Sequence, residues 1–138
     1  SIVLYYSYNG HTKKVAEKLA RTQGAELVEV TTQHKQSALA AYLVGCPHAR
    51  MRKGVKIKPV SQDLAEYDFI TLAAPVWAGF PAPAFNAMVK LLPKGKNVQV
   101  VLVSGHGPGA TKKSSNGTRK EIMHQGCQVV AYKEFKQS

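Results

Sequence analysis

Residues 1–20 read SIVLYYSYNGHTKKVAEKLA and join a short apolar run to a segment with helical spacing. The run, with its β-branched and aromatic residues, predicts a buried strand. From Thr12 onward, apolar residues recur on one helix face while lysines occupy the other, which predicts an amphipathic helix ending near Gly24. A loop of small hydrogen-bonding residues lies between them. The chain therefore opens with a strand, a polar loop and a helix.

The same alternation continues to the end of the chain. Further strands are predicted at 25–31, 68–76, 97–105 and 127–135, and helices after Pro81 and at 117–126. Residues 33–62 are the least regular part and are interpreted as an insertion with a short helical patch at 37–45. Strands that alternate with helices indicate an α/β fold with a parallel sheet covered on both faces. A chain of 138 residues is the size of a single domain, here residues 1–138.

The charge of the chain is strongly basic, with 19 Lys and Arg residues against 8 Asp and Glu residues and a net charge of +11. Such a charge favours acidic partners, including phosphorylated ligands, nucleic acid, anionic lipid and acidic proteins. The alternative is that the basic residues form a solvated surface with no partner. The basic clusters do not interleave aromatic residues as a base-stacking surface would. Nucleic acid is therefore the less favoured partner.

The sequence does not indicate a membrane protein or a metal-binding protein. No run approaches the ~18 apolar residues of a membrane span, and residues 1–7 lack the features of a signal peptide. The two cysteines, Cys46 and Cys127, form no CxxC motif, and no histidine pair stands at metal-binding spacing. We therefore expect unpaired thiols, a cytoplasmic location, no membrane contact and no metal site.

Three loops follow the strands that we place at the centre of the sheet. They span residues 7–12, 74–83 and 104–111, and none contains an Asp or a Glu. In open parallel sheets, ligands bind outside the carboxyl ends of the strands, where the strand order reverses. These loops are therefore the candidate binding site.

The first loop offers hydrogen-bond donors in front of a helix. Ser7, Asn9 and Thr12 supply polar side chains, Gly10 permits close approach of the backbone, and the helix adds free N–H groups and a positive dipole end. Together these groups suit a phosphate. The alternative is an ordinary capped turn, with Thr12 as N-cap and Gly10 in a left-handed conformation. The loop matches neither GxxxxGK[ST] nor GxGxxG, and the strand lacks the terminal acids of a receiver domain.

The second loop, APVWAGFPAP at 74–83, places Trp77 and Phe80 among prolines, alanines and a glycine. Large rings beside chain-bending residues suit the face or edge of a flat ligand. The alternative is that Trp77 closes the top of the core. The residues of this loop leave both interpretations open.

Three segments, YYSYNGHT, YDFITLAAPVWAGFPAPAFNAMV and VVLVSGHG, resemble the flavodoxin family, in particular small members with a PVWxGxPxP second loop. The resemblance covers nearly the whole chain in the right order. It implies a three-layer sandwich around a five-stranded parallel sheet in the order 2-1-3-4-5. It also implies that the cofactor is FMN, with its phosphate on the first loop and its ring between the second and third loops.

The resemblance implies which residues of this chain would contact each part of the cofactor. The phosphate would be held by Ser7, Tyr8, Asn9, Gly10, His11 and Thr12. The ring would be lined by Pro75, Val76, Trp77, Ala78 and Gly79 on the second loop. The third loop would be formed by Ser104, Gly105, His106 and Gly107. No side chain is assigned a catalytic role.

Three features depart from the family pattern. The chain is basic where electron-carrying flavodoxins are acidic, which leaves the redox partner open. His106 stands where a tyrosine often stacks on the flavin; it would stack on, hydrogen-bond to or protonate the flavin, or lie on the surface. No helix follows the last strand, which would leave one sheet face less covered and favour a homodimer.

The function expected from these features is noncovalent FMN binding with electron transfer to a redox protein partner. One alternative is an FMN-dependent oxidoreductase that takes hydride from NAD(P)H to a quinone or similar acceptor. Another, from a different class, is a flavin-free binding module that uses its basic surface. The visible spectrum after incubation with FMN separates the last alternative from the first two.

Overall fold

The structure, a computed structural model, describes residues 1–33 and 46–138. The predicted helical patch at 37–45 lies outside the described residues. The strands are β1 (Ile2–Tyr5), β2 (Glu26–Glu29), β3 (Phe69–Trp77), β4 (Phe80–Pro81), β5 (Asn97–Ser104) and β6 (Gln128–Lys136). The helices are α1 (His11–Gln23), α2 (Cys46–Arg50), α3 (Pro83–Lys90) and α4 (Ser115–His124), with a 3₁₀ turn at Leu64–Glu66.

The sheet has the order β2-β1-β3-β5-β6, with all neighbouring pairs on this path parallel. This is the predicted order 2-1-3-4-5, because β5 and β6 are the fourth and fifth parallel strands. One strand was not predicted: β4 is two residues long and pairs antiparallel with the end of β3. The α/β fold with a central parallel sheet is therefore confirmed, with a short hairpin added at the end of its middle strand.

The helices begin and end close to the predicted positions. Helix α1 ends at Gly24, whose φ of 62° is left-handed and whose N–H bonds the carbonyls of Ala20 and Arg21. Helix α3 begins at Pro83, where a missing N–H costs nothing. Helix α2 was not predicted, because its five residues lie in a segment interpreted as a basic loop. In the described ranges, no helix has the length and apolar character needed to cross a membrane.

The core lies on the two faces of the sheet. On one face, Phe85 and Met88 of α3 and Ile122 of α4 pack against the apolar side chains of the central strands. On the other face, Ala16 and Ala20 of α1 pack against a smaller cluster. Small residues on α1 allow the helix to lie close to the sheet. Because the central strands are buried on both faces, their ends remain open to form a binding site.

The α1 face of the sheet is less covered near β6. A surface groove of about 360 Å³ lies between α1 and the end of β6, lined by Leu19 and Phe135 among others. Phe135 is 37% exposed there.

Candidate functional site

The three predicted loops meet at the carboxyl edge of the sheet. Strands β1, β3 and β5 are direct neighbours, with Tyr5 opposite Ala73 and Pro75 opposite Val103. The N–H of Tyr6 continues the ladder beyond β1 and bonds the Ala73 carbonyl at 3.0 Å. Each strand therefore delivers its loop to the same side of the molecule, as the sequence predicted.

The assigned residues differ in how much surface they present. The exposed ones are Tyr8, Asn9, Ala78, Gly105 and His106. The buried ones are Thr12, Pro75, Ser104 and Gly107. Intermediate exposure is found at Ser7, Gly10, His11, Val76, Trp77 and Gly79. The buried members shape the loops, and the others form the surface that a ligand would contact.

Ser7 organises the first loop. Its Oγ accepts hydrogen bonds from the N–H groups of Gly10 at 3.0 Å and Lys13 at 3.2 Å, so it satisfies one free donor of the first turn of α1. Gly10 has a φ of 91°, a backbone conformation that favours glycine. Thr12 is not the N-cap, because the helix begins at His11 and Gly10 holds the cap position. The ordinary-turn alternative therefore had the wrong capping residue.

Two side chains of the first loop have polar atoms without a hydrogen-bond partner among the described residues. Asn9 is exposed at the tip of the turn, and no hydrogen bond to it is found within the described ranges. The Nδ1 atom of His11 is buried and has no hydrogen-bond partner among the described residues. A buried polar atom without a partner is costly, so it favours an acceptor or donor supplied from outside. Thr12, 1% exposed, presents little surface of its own.

The second loop is a tight hairpin. Pro75, Val76 and Trp77 still belong to β3, and Trp77 pairs with Phe80 of β4. The prediction of a loop across 74–83 was therefore wrong in this part. The two central residues, Ala78 and Gly79, both have positive φ, 53° and 83°, as in a type I′ turn. Hairpin pairing across β3 and β4 outweighs the bending tendency of the prolines.

Trp77 joins the first and second loops. Its ring makes edge contacts with Tyr6, at a centroid distance of 6.3 Å, and with Tyr8, at 5.8 Å. Such T-shaped pairs are favourable aromatic arrangements. Trp77 is still only partly buried, so it does not simply close the core. A small cavity of about 20 Å³ adjoins it, lined by Tyr6, Thr32, Val55, Trp77, Pro83 and Ala84.

Tyr6 contributes a neutral phenol to this cluster. Burial raises its pKa above the ordinary value, and the neighbouring Tyr8 raises it further. The phenol therefore stays protonated at neutral pH and keeps its O–H as a donor.

The third loop follows β5 and is held by side chains. Ser104 Oγ accepts the N–H of Gly107 at 2.9 Å. Gly107 has a φ of 80°, and a Cβ on it would lie 2.9 Å from the Cβ of Lys136, so only glycine fits here. His106 is exposed beside it. The loop therefore carries the His106 imidazole on a backbone that packs closely against Lys136 of β6.

Glu134 of β6 reaches the third loop and was missed by the sequence analysis. Its carboxylate accepts hydrogen bonds from the N–H of Gly109 at 3.1 Å and from the N–H and Oγ1 of Thr111 at 2.8 and 2.9 Å. The three candidate loops contain no acid in sequence, yet the fold supplies one from a strand. Only the register of β6 against β5, which pairs Leu102 with Glu134, reveals it.

The second loop is braced from behind by Arg52 and Ser114. The Arg52 guanidinium donates to Thr118 Oγ1 at 3.0 Å and to the Ser114 carbonyl at 2.8 Å, and it lies 5.3 Å from the Phe80 ring centroid. Burial lowers the pKa of Arg52. Ser114 Oγ donates to the Gly79 carbonyl at 2.6 Å. Arg52 therefore links the insertion to the hairpin and to α4, although the basic residues around it in the sequence suggested a solvent-exposed loop.

Solved structures with a similar architecture include flavoproteins. A flavoprotein from Lactobacillus acidophilus, solved in complex with FMN, shares 24% identity, with 95% of this chain and 89% of that chain covered and a TM-score of 0.78. The apo-form of the flavoprotein from the same organism gives 22% identity, coverage of 96% and 90%, and a TM-score of 0.70. Oxidised flavodoxin 1 from Bacillus cereus shares 16% identity, with 99% of this chain and 84% of that chain covered and a TM-score of 0.58.

No protein-family model and no curated protein matches the chain. The structural likenesses, all below 25% identity, establish the fold. The chain has a flavodoxin-like fold, as the resemblance in its sequence predicted.

The hairpin turn generates a stability prediction. Ala78 pays the cost of a left-handed backbone, about 1–2 kcal/mol for a residue with a Cβ. Asparagine tolerates this conformation and precedes glycine in type I′ turns, so Ala78→Asn is expected to raise the free energy of unfolding by about 1 kcal/mol. Ala78→Val, with a β-branched side chain, should lower it. Urea denaturation of the three proteins measures both changes, and a Val variant as stable as the Asn variant would contradict the turn assignment.

Proposed function

We propose that this protein binds FMN noncovalently at its three loops and takes part in electron transfer. The observation that carries the proposal is the meeting of three loops of the flavodoxin type at the carboxyl edge of β1, β3 and β5, with Trp77 of the second loop partly exposed there. Two further supports come from the neighbours: one flavoprotein with this architecture is solved with FMN, and another neighbour is an oxidised flavodoxin.

The first loop fits a phosphate. Its helix presents free N–H groups and a positive dipole end, with no acidic residue in the first turn of α1. Asn9 supplies an exposed amide, and the unpartnered buried Nδ1 of His11 lies in the same turn. Lys13 and Lys14 are exposed next to the loop and add positive charge. Ser7 keeps the turn in shape by accepting two backbone N–H groups, so its part is positioning as much as binding.

The second and third loops fit the flavin ring. When bound, FMN would supply the redox chemistry through its isoalloxazine ring. Trp77 would present an aromatic surface to the ring, and its edge contacts with Tyr6 and Tyr8 would fix its orientation. The hairpin turn at Ala78 and Gly79 would bring backbone groups to its edge. His106, exposed on the third loop, would lie on the opposite side and could donate or accept a hydrogen bond there.

A flavin enzyme that uses NAD(P)H is the second candidate. The observation in its favour is the basic surface beside the site, where Lys112 and Lys113 are exposed next to the third loop in a chain of net charge +11. An anionic nicotinamide cofactor would be attracted to it. Mixing the FMN-loaded protein with NADPH under anaerobic conditions separates the two candidates. Rapid bleaching of the flavin without an added reductase indicates the enzyme, and a persistent yellow colour indicates the electron carrier.

The proposal predicts a phosphate-dependent affinity. Wild-type protein should retain FMN after desalting and show a flavin spectrum, and it should bind riboflavin, which lacks the phosphate, far more weakly. Asn9→Ala removes a side chain that the fold does not use and should weaken FMN binding by about 1–3 kcal/mol. Titration calorimetry with both ligands measures these differences.

Asn97→Ala is the control for that experiment, because Asn97 is exposed at the first position of β5, at the edge of the sheet opposite to the three loops. It should leave both affinities unchanged. Equal losses for FMN and riboflavin in Asn9→Ala would place the phosphate elsewhere. A protein that stays colourless with excess FMN would overturn the proposed function itself.

The position of Trp77 predicts a spectroscopic signal. It is the single tryptophan of the chain, so its emission reports one site. If Trp77 lies against the ring, FMN should quench its fluorescence strongly, and Trp77→Phe should reduce the affinity by about 0.5–1.5 kcal/mol through the smaller aromatic contact. Unchanged emission at saturating FMN would return Trp77 to a packing role with the two tyrosines.

A further inference from the structure

We propose that Glu134 is a positioning residue for the flavin site: its carboxylate holds the third loop, and through it His106 and the second loop, in the conformation that binds FMN. The inference rests on the proposed function and deepens it. It assigns a role at the site to a residue of β6, outside all three loops that the sequence pattern identifies.

The contacts use both oxygens of the carboxylate. Oε1 accepts the N–H of Gly109, while Oε2 accepts the N–H and the hydroxyl of Thr111. Because a carboxylate only accepts, the Thr111 hydroxyl proton goes to Glu134, and the Tyr132 hydroxyl is then the donor in its 2.6 Å bond to Thr111 Oγ1. Hydrogen bonds to an ionised acceptor are about twice as strong as neutral ones.

These bonds add to the backbone turns of the loop, in which the N–H of Ala110 bonds the Gly107 carbonyl and the N–H of Lys112 bonds the Gly109 carbonyl, both at 3.1 Å. Gly107 and Gly109 both have positive φ, 80° and 89°, so this stretch follows neither a helix nor a strand. Flexible backbone of this kind loses much conformational entropy when it is ordered. Glu134 ties the segment to the rigid edge of the sheet, where Thr111 is fully buried. The loop conformation therefore depends on a side chain that comes from another part of the chain.

The bonded groups lie directly behind the ligand-facing ones. A Cβ on Gly109 would lie 3.7 Å from His106 Nε2, so the imidazole rests over the glycine that Glu134 holds. Glu134 also brackets Ala110, whose carbonyl oxygen would be 3.8 Å from a Cβ on Gly79 of the second loop. Releasing Gly109 and Thr111 would loosen the support of both loops that are assigned to the flavin ring.

Glu134 also places a negative charge at a basic site. After Asp68 the sequence contains only two acids, Glu121 and Glu134, whereas Lys112 and Lys113 flank the same loop. A fixed negative charge disfavours the added electrons of a reduced flavin. Removing it should make the reduction potential of the bound flavin less negative, an effect that loss of packing alone would not produce.

Glu134→Gln tests the inference, with Glu66→Gln as the matched control. Both variants remove one negative charge, but Glu66 is exposed in the 3₁₀ turn before β3, at the opposite edge of the sheet. In the protein without flavin, amide hydrogen exchange at Gly109 and Thr111 should be about tenfold faster in Glu134→Gln, since one charge-assisted bond is worth about a factor of ten or more. The Glu66→Gln control should match wild type.

In the FMN-loaded proteins, Glu134→Gln should weaken FMN binding about tenfold, by the same conversion, and shift the potential to a less negative value. Thr111→Val keeps the side-chain volume and loses one of the three bonds to the carboxylate, together with the bond from Tyr132. It should weaken binding less and leave the potential near that of wild type. It serves as the second variant if Glu134→Gln does not fold.

The outcomes separate this inference from the proposed function. A wild-type protein that does not bind FMN overturns both. A wild-type protein that binds FMN, together with a Glu134→Gln variant of equal affinity and equal potential, overturns only the role of Glu134. Faster amide exchange without any change in FMN affinity or potential would make Glu134 a structural brace and would also overturn the inference.

Discussion

The central position of β3 is the constraint on which the rest of the structure depends. Its residues from Ile70 to Pro75 are all buried, because β1 and β5 pair with it on either side and helices cover both faces. Parallel pairing with two neighbours brings the carboxyl ends of three strands to one edge. The first, second and third loops meet there for this reason, and each would be an ordinary turn if its strand lay elsewhere.

The loops at that edge are not supported by their own sequences alone. Arg52, from the insertion, packs against Phe80 and bonds α4, and Ser114 bonds the carbonyl of Gly79. Glu134 bonds the third loop from β6. Each of these contacts spans more than twenty positions of the chain. Since the bracing groups are charged or polar, they give the loops a defined geometry that apolar packing, which is not directional, would not provide.

The electrostatics of the site differ from what the net charge suggests. The chain carries +11, and the candidate loops contain no acid in sequence, so a site free of negative charge was the natural expectation. The fold nevertheless places the Glu134 carboxylate on the third loop. Overall charge sets long-range attraction for anionic partners, whereas the local field at a ligand depends on the few groups within a few ångströms of it.

The sequence by itself determined the α/β class and the polar loops that follow β1 and β5, while the strand order came from the resemblance to the flavodoxin family. Apolar runs of strand length and helical periodicity are local signals, and the rule that ligands bind at strand ends needs only the order of the elements. The resemblance in YYSYNGHT and PVWAGFPAP added the flavodoxin-like architecture. The end of α1 at Gly24 could also be read locally, because a left-handed C-cap favours glycine.

Only the tertiary structure decided how the site is held together. The extension of β3 to Trp77 depends on pairing with Phe80, and pairing outweighs the prolines that suggested a loop. The sequence suggested Thr12 as the N-cap of α1, whereas in the structure Gly10 is the N-cap and Ser7 accepts the N–H of Lys13, because the preceding turn folds back over the helix start. The places of Arg52 and Glu134 depend on packing and strand register, which join residues far apart in the chain and leave no periodic signal in the sequence.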